Sequence, residues 1–445
     1  MAFGEQTISA LSTISIIFAF IFVAKLKKMK RLLFFLVFIF SLPQLRADDF
    51  KRAQQILDWI QVGQGDSLMA RFHPVIRPTL PPSTVKKIWE QLKLQGGELK
   101  GQGTWKVERR DTLLLEQCRL MFENGPVRFS LLTDDHHFIV GFHFTSIVGT
   151  ASVSKNTERP GVDYVERDTF LINGRVKLPA IFCRPVQSDT LYPVVVMVHG
   201  IGPMDKDGTL GPNKPFLEVA HRLAAKGVAT FRYDKRTFVY GARVMELSGV
   251  LTYDTEVVDD AVAALEMAAH LPEVDRSRVY VLGHSLGGML APRIAMLSRV
   301  PLAGMISVAG SARQLEELLR SQFRYLSRLQ GTPESEADSL TRLIYSKMSA
   351  PYRTFAAEYN PVGTARGLRM PMLFLQGGHD FQVTATDFNM WKKGLEGCRN
   401  ARFVWLENCD HLLRETREMA VPKNYMLPGR VSGKAVEAIE KFIKD

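Results

Sequence analysis

The sequence predicts an α/β domain with a mainly parallel sheet, preceded by a small α+β domain, and three observations carry that reading. From Arg167 onward, short β-branched and apolar runs alternate with helical stretches, the pattern of strands joined by crossover helices. Within that alternation, Arg278-Val-Tyr-Val-Leu-Gly-His-Ser-Leu-Gly-Gly-Met289 passes from a strand through a glycine-flanked serine into an alanine-rich helical stretch. Before Thr150 the order differs: helical segments come first, and strands separated by turn signals follow.

With 445 residues, 46% of them hydrophobic and 23% charged, the chain can bury a large core and two domains, and it is neither disordered nor fibrous. Its N-terminus carries two apolar runs, Thr7 to Ala24 and Leu32 to Leu42, around the basic cluster Lys25-Leu-Lys-Lys-Met-Lys-Arg31. The second run is too short to span a bilayer. It follows Lys30-Arg31 and precedes Leu45-Arg-Ala47, which suits a secretory signal cleaved after Ala47, with Met29 as the start and residues 1–47 a targeting segment. The alternative is a membrane anchor at residues 7–24 with its lysines cytoplasmic. The signal reading implies a periplasmic or secreted protein. Removing residues 1–47 takes away six Lys/Arg and one Glu, leaving +6 of the formal +11. Much of the basicity therefore belongs to targeting, and with no long Lys/Arg run after residue 47, nucleic acid is not an expected partner. The membrane is a partner only through the targeting segment. Cys118, Cys183, Cys398 and Cys409 show no metal spacing, and the strand between the last two would hold them apart, so free thiols are expected.

Residues 48–150 form the α+β accessory domain. Asp49 to Ile60 is helical in period, and Leu80 to Leu92 pairs a helix start signal with apolar spacing at Val85, Ile88, Trp89 and Leu92. Strands are expected at Gly103 to Glu108, Thr112 to Phe122, Val127 to Thr133 and Phe138 to Ser146. This order resembles the nuclear transport factor 2-like cone domains that precede some secreted hydrolases. It implies a packing or dimerising accessory, through which an oligomer could form. Residues 151–166, polar and broken by Pro160-Gly161, read as a linker.

Residues 167–445 form the second domain. Asn173-Gly174 turns the chain between antiparallel strands Thr169 to Ile172 and Leu178 to Cys183. Pro193 to Gly200 is a buried strand running into a glycine loop. Pro215 to Lys226 is a helix with Pro at its start and Gly227 after its end, and Val228 to Tyr233 is the next strand. Asp254 to His270 is an amphipathic helix, acidic in its first turn and stopped by Pro272. After the serine stretch, strands are expected at Leu302 to Ala309, Pro371 to Gln376 and Ala401 to Leu406, and a closing helix at Ser432 to Ile443. The mainly helical residues 311–365 present Leu315, Leu318, Leu319, Phe323, Leu326 and Leu329 on one face and read as a lid over the strand ends. The blander reading is more core.

The serine stretch has the form G-x-S-x-G, a nucleophile elbow whose glycines allow backbone to approach backbone and whose turn lifts Ser285 clear of the sheet. The amides that open the following helix, notably that of Leu286, would face a developing oxyanion. A serine needs a base, and the base a carboxylate. Asp380 follows the strand at Pro371, and His411 follows the strand at Ala401, in the chain order Ser, Asp, His. Asp410 reads as a solvated or loop-capping acid and His379 as structural. A metal site of His379, Asp380, Asp410 and His411 would leave the elbow unexplained, so no metal or cofactor is expected.

The loop His199-Gly-Ile-Gly-Pro-Met-Asp-Lys-Asp-Gly208 makes the likeness specific: residues 167–445 resemble the α/β-hydrolase superfamily, and within it bacterial secreted serine esterases with a His-Gly-(Ser)-Gly-Pro-x-Asp-(Arg)-Asp-Gly loop. The resemblance makes the amide of Ile201 the second oxyanion donor. Departures are Ile201 for a small residue, Lys206 for Arg, and Arg232-Tyr-Asp-Lys-Arg-Thr237 where a glycine usually follows the Arg. The expected activity is hydrolysis of a small-molecule ester through a covalent acyl-enzyme. The alternatives are a serine aminopeptidase or acyl-peptide hydrolase of the same superfamily, and, in another class, a non-catalytic binding protein on a hydrolase fold.

Overall fold

The computed structural model describes residues 47–72, 82–110, 113–123, 125–134, 136–146, 158–186, 191–241, 244–331 and 333–445. The two apolar runs of the N-terminus lie outside them. Among the described residues no helix is long and apolar enough to cross a membrane. The chain divides into two compact units, with the boundary after Ala151.

The first unit has helices α1 (Ala47–Val62), α2 (Gly65–Arg71) and α3 (Pro82–Gly96), then strands β1 (Leu99–Gln102), β2 (Lys106–Arg110), β3 (Leu113–Phe122), β4 (Gly125–Asp134) and β5 (Ile139–Ser146). The pairings between its strands are antiparallel; β3 pairs with β1, β2 and β4, and β4 with β5. Helix α2 was not expected. Of the strand expected at Gly103 to Glu108 only residues 106–108 are extended, as the start of β2, while residues 103–105 lie outside any strand and β1 precedes the expected range. Alternation along β4 sends Val127, Phe129 and Leu131 into a core with Ile56, Leu57 and Ile60 of α1 and Val85 and Trp89 of α3.

The second unit opens with β6 (Glu158–Pro160), β7 (Tyr164–Asn173) and β8 (Val176–Pro185), so its sheet begins inside the stretch that reads as a linker. Pro160 fits there because β6 is the outermost strand of the sheet, where a missing N–H breaks no second ladder. Next come β9 (Tyr192–Val198), α4 (Pro215–Ala224), β10 (Ala229–Tyr233), α5 (Arg236–Tyr240) and α6 (Val244–Ser248). The helix expected at Asp254 begins as a π-turn, Asp254–Val258, and becomes α7 (Asp259–Ala269). The rest is β11 (Val274–His284), α8 (Leu286–Leu297), β12 (Gly304–Val308), α9 (Leu315–Gln330), α10 (Glu334–Lys347), α11 (Ala350–Glu358), α12 (Pro361–Arg366), β13 (Met372–Gly377), α13 (Ala385–Gly394), β14 (Ala401–Leu406) and α14 (Gly433–Lys444).

Its nine strands run in the order β14-β13-β12-β11-β9-β10-β8-β7-β6. The six from β14 to β10 are parallel, and β8, β7 and β6 are antiparallel to their neighbours. The inner parallel strands are buried on both faces, hence continuous apolar runs such as Val194 to Val198. The chain goes from β9 to β10 on one side and then to β11 on the other. That reversal opens a crevice beyond the carboxyl ends of β9 and β11, where ligands bind in open sheets.

Helices α9 to α12 occupy the stretch between β12 and β13. Leu315, Leu319 and Phe323 of α9 are buried as its apolar spacing requires, but Leu329 at its end is 52% exposed. Gln322 donates to the carbonyl of Gln382 at 3.1 Å, and Tyr325 stacks on Phe381 with ring centroids 5.1 Å apart, so α9 packs on the loop that carries Asp380.

Candidate active site

Ser285 sits between β11 and α8 with φ 56° and ψ −115°, a conformation that non-glycine residues adopt only under constraint. The constraint is visible. A Cβ on Gly283 would lie 2.0 Å from the carbonyl oxygen of Gly287, and one on Gly287 would lie 2.5 Å from that of Val198. Only glycine lets the strand, the turn and the end of β9 meet this closely. The Ser285 amide donates to the carbonyl of Val308 at 2.9 Å and fastens the turn to β12. Leu286 follows as the first residue of α8, a position whose N–H has no intrahelical acceptor.

Asp380 and His411 come from the next two loops, after β13 and β14. The loops cross closely, since a Cβ on Gly377 would meet the carbonyl oxygen of Cys409 at 2.3 Å. Oδ2 of Asp380 accepts from Nδ1 of His411 at 2.7 Å and from Nε2 of Gln376 at 3.1 Å. Oδ1 accepts the amides of Gln382 at 2.8 Å and Val383 at 3.1 Å. Both residues are buried. Four donors on one carboxylate fix its rotamer, and the bond to Nδ1 leaves Nε2 of His411 as the free acceptor of the ring.

His284, beside the serine in sequence, is a site residue that motif reading passed over. Its Nε2–H donates to the carbonyl of His411 at 2.8 Å, and the two rings lie 4.8 Å apart. The residue before the elbow serine thus holds the main chain of His411. Burial, helped by His411, pushes His284 down to about 3, so it serves as a neutral strut. His199 is pushed equally low, first by burial and then by the charge of Lys235.

The loop after β9 lies against the elbow: a Cβ on Gly200 would come within 3.1 Å of the Ser285 Cβ. It is pinned along its length. Asp205 accepts the amide of Thr209 at 2.8 Å and its hydroxyl at 2.6 Å, and Asp207 accepts from Lys214 at 3.1 Å and from Arg232 at 3.3 Å. Asp234 accepts the amide of Lys206 at 2.7 Å, and the buried Lys235 ammonium donates to the carbonyl of Gly200 at 2.9 Å.

Two neighbours of the site play structural parts. Asp410 is fully buried, not solvated: it accepts the amides of Leu412 and Arg414 at 2.9 Å and grips the Arg414 guanidinium at 2.9 and 2.7 Å. It is a loop cap, and its charge is neutralised within the loop. His379 directs Nδ1 at Thr416 Oγ1, 3.0 Å away. Elsewhere, Glu166, Cys183 and His221 place ligand atoms within 4.8 Å of one another. The Glu166 carboxylate is already engaged by Arg232 and His221, and burial pushes the Cys183 thiol up to about 12, so the cluster reads as an ion-pair network.

A largely parallel sheet whose inner strand ends in a strained, glycine-flanked serine defines the α/β hydrolases. The chain belongs to the alpha/beta hydrolase family, which it matches over residues 195–421, and it is an enzyme of the hydrolase class. It is 31% identical over 385 residues to Esterase EstD of Thermotoga maritima, spanning 83% of this chain and 89% of that protein. Among solved structures, Est1E of Butyrivibrio proteoclasticus is 16% identical over 62% of this chain and 97% of its own, with a TM-score of 0.42. A puromycin-hydrolyzing peptidase of Mycobacterium tuberculosis is 18% identical over 76% of this chain and 47% of its own, with a TM-score of 0.43.

Proposed function

We propose that the protein is a serine carboxylic ester hydrolase that works through a covalent acyl-enzyme, with Ser285, His411 and Asp380 as its triad. The observation that carries this reading is the buried 2.7 Å bond between Asp380 and Nδ1 of His411, beyond the strand ends at which the elbow presents Ser285. His411 takes the Ser285 proton at Nε2 as Oγ attacks the ester carbonyl. The carbonyl oxygen becomes an oxyanion facing the amides of Leu286 and Ile201. Collapse expels the alcohol, which receives the proton from His411, and a water then repeats the sequence to release the acid. Asp380 holds the ring in the tautomer that can accept at Nε2. The likeness to a named esterase along most of both chains supports ester over amide as the substrate bond. The signal-like N-terminus supports a site of action outside the cytoplasmic membrane.

The test is a panel of nitrophenyl esters of rising acyl length, run beside aminoacyl-nitroanilides, on the parent and Ser285→Ala. The parent should turn over the esters, and a fluorophosphonate should label the peptide containing Gly283 to Gly288. Ser285→Ala should lose on the order of 10⁴ to 10⁶ in kcat while remaining folded. A folded variant that keeps a tenth of parental turnover excludes the serine mechanism, and faster cleavage of the anilides makes the enzyme a peptidase.

A further inference from the structure

Lys235 is a cation with 2% exposure, and nothing in the steps above uses it. It follows β10, and its ammonium makes two contacts of different kinds: Nζ lies 2.5 Å from Oε1 of Glu256 and donates at 2.9 Å to the carbonyl of Gly200. Glu256 is equally buried, and its second oxygen accepts the Tyr352 hydroxyl at 3.0 Å. Glu256 stands in the π-turn that opens the α7 segment, an irregularity frequent at functional sites, and Tyr352 stands in α11 of the helical insertion. A buried ion pair adds little stability over an apolar pair of the same volume, so stability alone does not account for this one.

The contact with Gly200 does. The carbonyl of Gly200 and the N–H of Ile201 belong to one peptide unit, which is planar and trans, so the two groups point in opposite directions. A cation that fixes the oxygen on one side fixes the direction of the N–H on the other. It also draws electron density toward the oxygen and makes that N–H a stronger donor. We infer that Lys235 is a positioning residue for the oxyanion hole: it orients and polarises the Gly200–Ile201 peptide, and Glu256 and Tyr352 hold the ammonium in place, tying the insertion to the hole. This rests on the serine-esterase reading, with Ile201 as a donor. Because the interaction strengthens as negative charge forms on the substrate oxygen, its loss lowers kcat and leaves KM nearly unchanged.

The experiment uses the full chain carrying Lys235→Met together with Glu256→Gln, which removes the ammonium without stranding a buried carboxylate and leaves an acceptor for Tyr352. Three quantities are read on folded protein: kcat and KM for nitrophenyl acetate, and affinity for a trifluoromethyl ketone, which forms an oxyanion adduct with the serine. The expected result is a fall in kcat on the order of 10²-fold, the scale of one lost oxyanion donor, a KM within about threefold of the parent, and a parallel loss of ketone affinity. A kcat within about threefold of the parent, or a fall in kcat with ketone affinity intact, overturns the inference. If the double variant does not fold, Tyr352→Phe decides: a severalfold lower kcat at unchanged KM supports the relay, and parental kinetics refute it. A parent that hydrolyses no ester, or is not labelled at Ser285, sinks the esterase reading instead, so the two failures are distinct.

Discussion

Asp380→Asn exchanges one oxygen for an NH₂ and keeps the outline of the side chain, so its effect follows from counting donors. In the parent, Oδ1 serves two backbone amides and Oδ2 serves His411 and Gln376. Asparagine has one acceptor oxygen. Turning it toward His411 would set an NH₂ against the amides of Gln382 and Val383, two donors that cannot turn away. The oxygen therefore stays with the backbone, and the NH₂ faces His411. His411 must then accept at Nδ1 and carry its proton at Nε2, where it cannot take the proton of Ser285. The wrong tautomer should lower kcat about 10⁴-fold, or ~5.5 kcal/mol in the barrier. Stability should fall far less, by about 1–3 kcal/mol, because Gln376 keeps its bonds to the carbonyls of Val383 at 2.7 Å and Gly377 at 3.2 Å. Nitrophenyl acetate turnover with matched thermal melts measures both quantities. A folded variant with more than a tenth of parental kcat would mean that Asp380 does not set the tautomer.

Two further outcomes follow from buried neutral histidines and from the N-terminus. His199 and His284 are pushed down to about 3 from an ordinary 6.5, so below pH 6.5 the unfolded chain takes up protons that the native state refuses. Stability is therefore lost as the pH falls from 6.5 toward 3, and between pH 6 and 5 each of the two should contribute about 1 kcal/mol per pH unit. Urea midpoints across that interval should show His284→Gln losing one such share, and an unchanged slope refutes the assignment. N-terminal sequencing of envelope or medium protein should begin near Asp48, whereas recovery of intact residues 1–47 in the membrane fraction identifies an anchor.

The second unit was legible wherever a local signal is forced by geometry. Gly283 and Gly287 could be read because contacts of 2.0 and 2.5 Å leave no room for a Cβ, and Asp380 and His411 because each follows a strong apolar strand. What escaped has no local signal. Lys235 and Glu256 are 21 positions apart, and only the folded π-turn aims one at the other. Asp410 reads as a solvated or loop-capping acid, and only the fold decides for the cap, because its neutralising partner, Arg414, lies in an irregular loop where a four-residue spacing carries no signal. The start of the sheet was missed because Pro160-Gly161 reads as a break, whereas an edge strand ends on the proline and Gly161 opens the turn into β7.

The four cysteines are free, and three of them, Cys118, Cys183 and Cys409, are buried. Burial pushes Cys118 and Cys183 up to about 12, so at neutral pH almost none of either is the thiolate that reacts with alkylating reagents. Cys118 lies in β3 of the first unit and Cys183 in β8 of the second. Each unit thus contains a silent thiol that becomes reactive when its own sheet opens. Timed alkylation pulses, read by peptide mass, turn these two side chains into separate clocks for the opening of each half of the chain, with no label added to either.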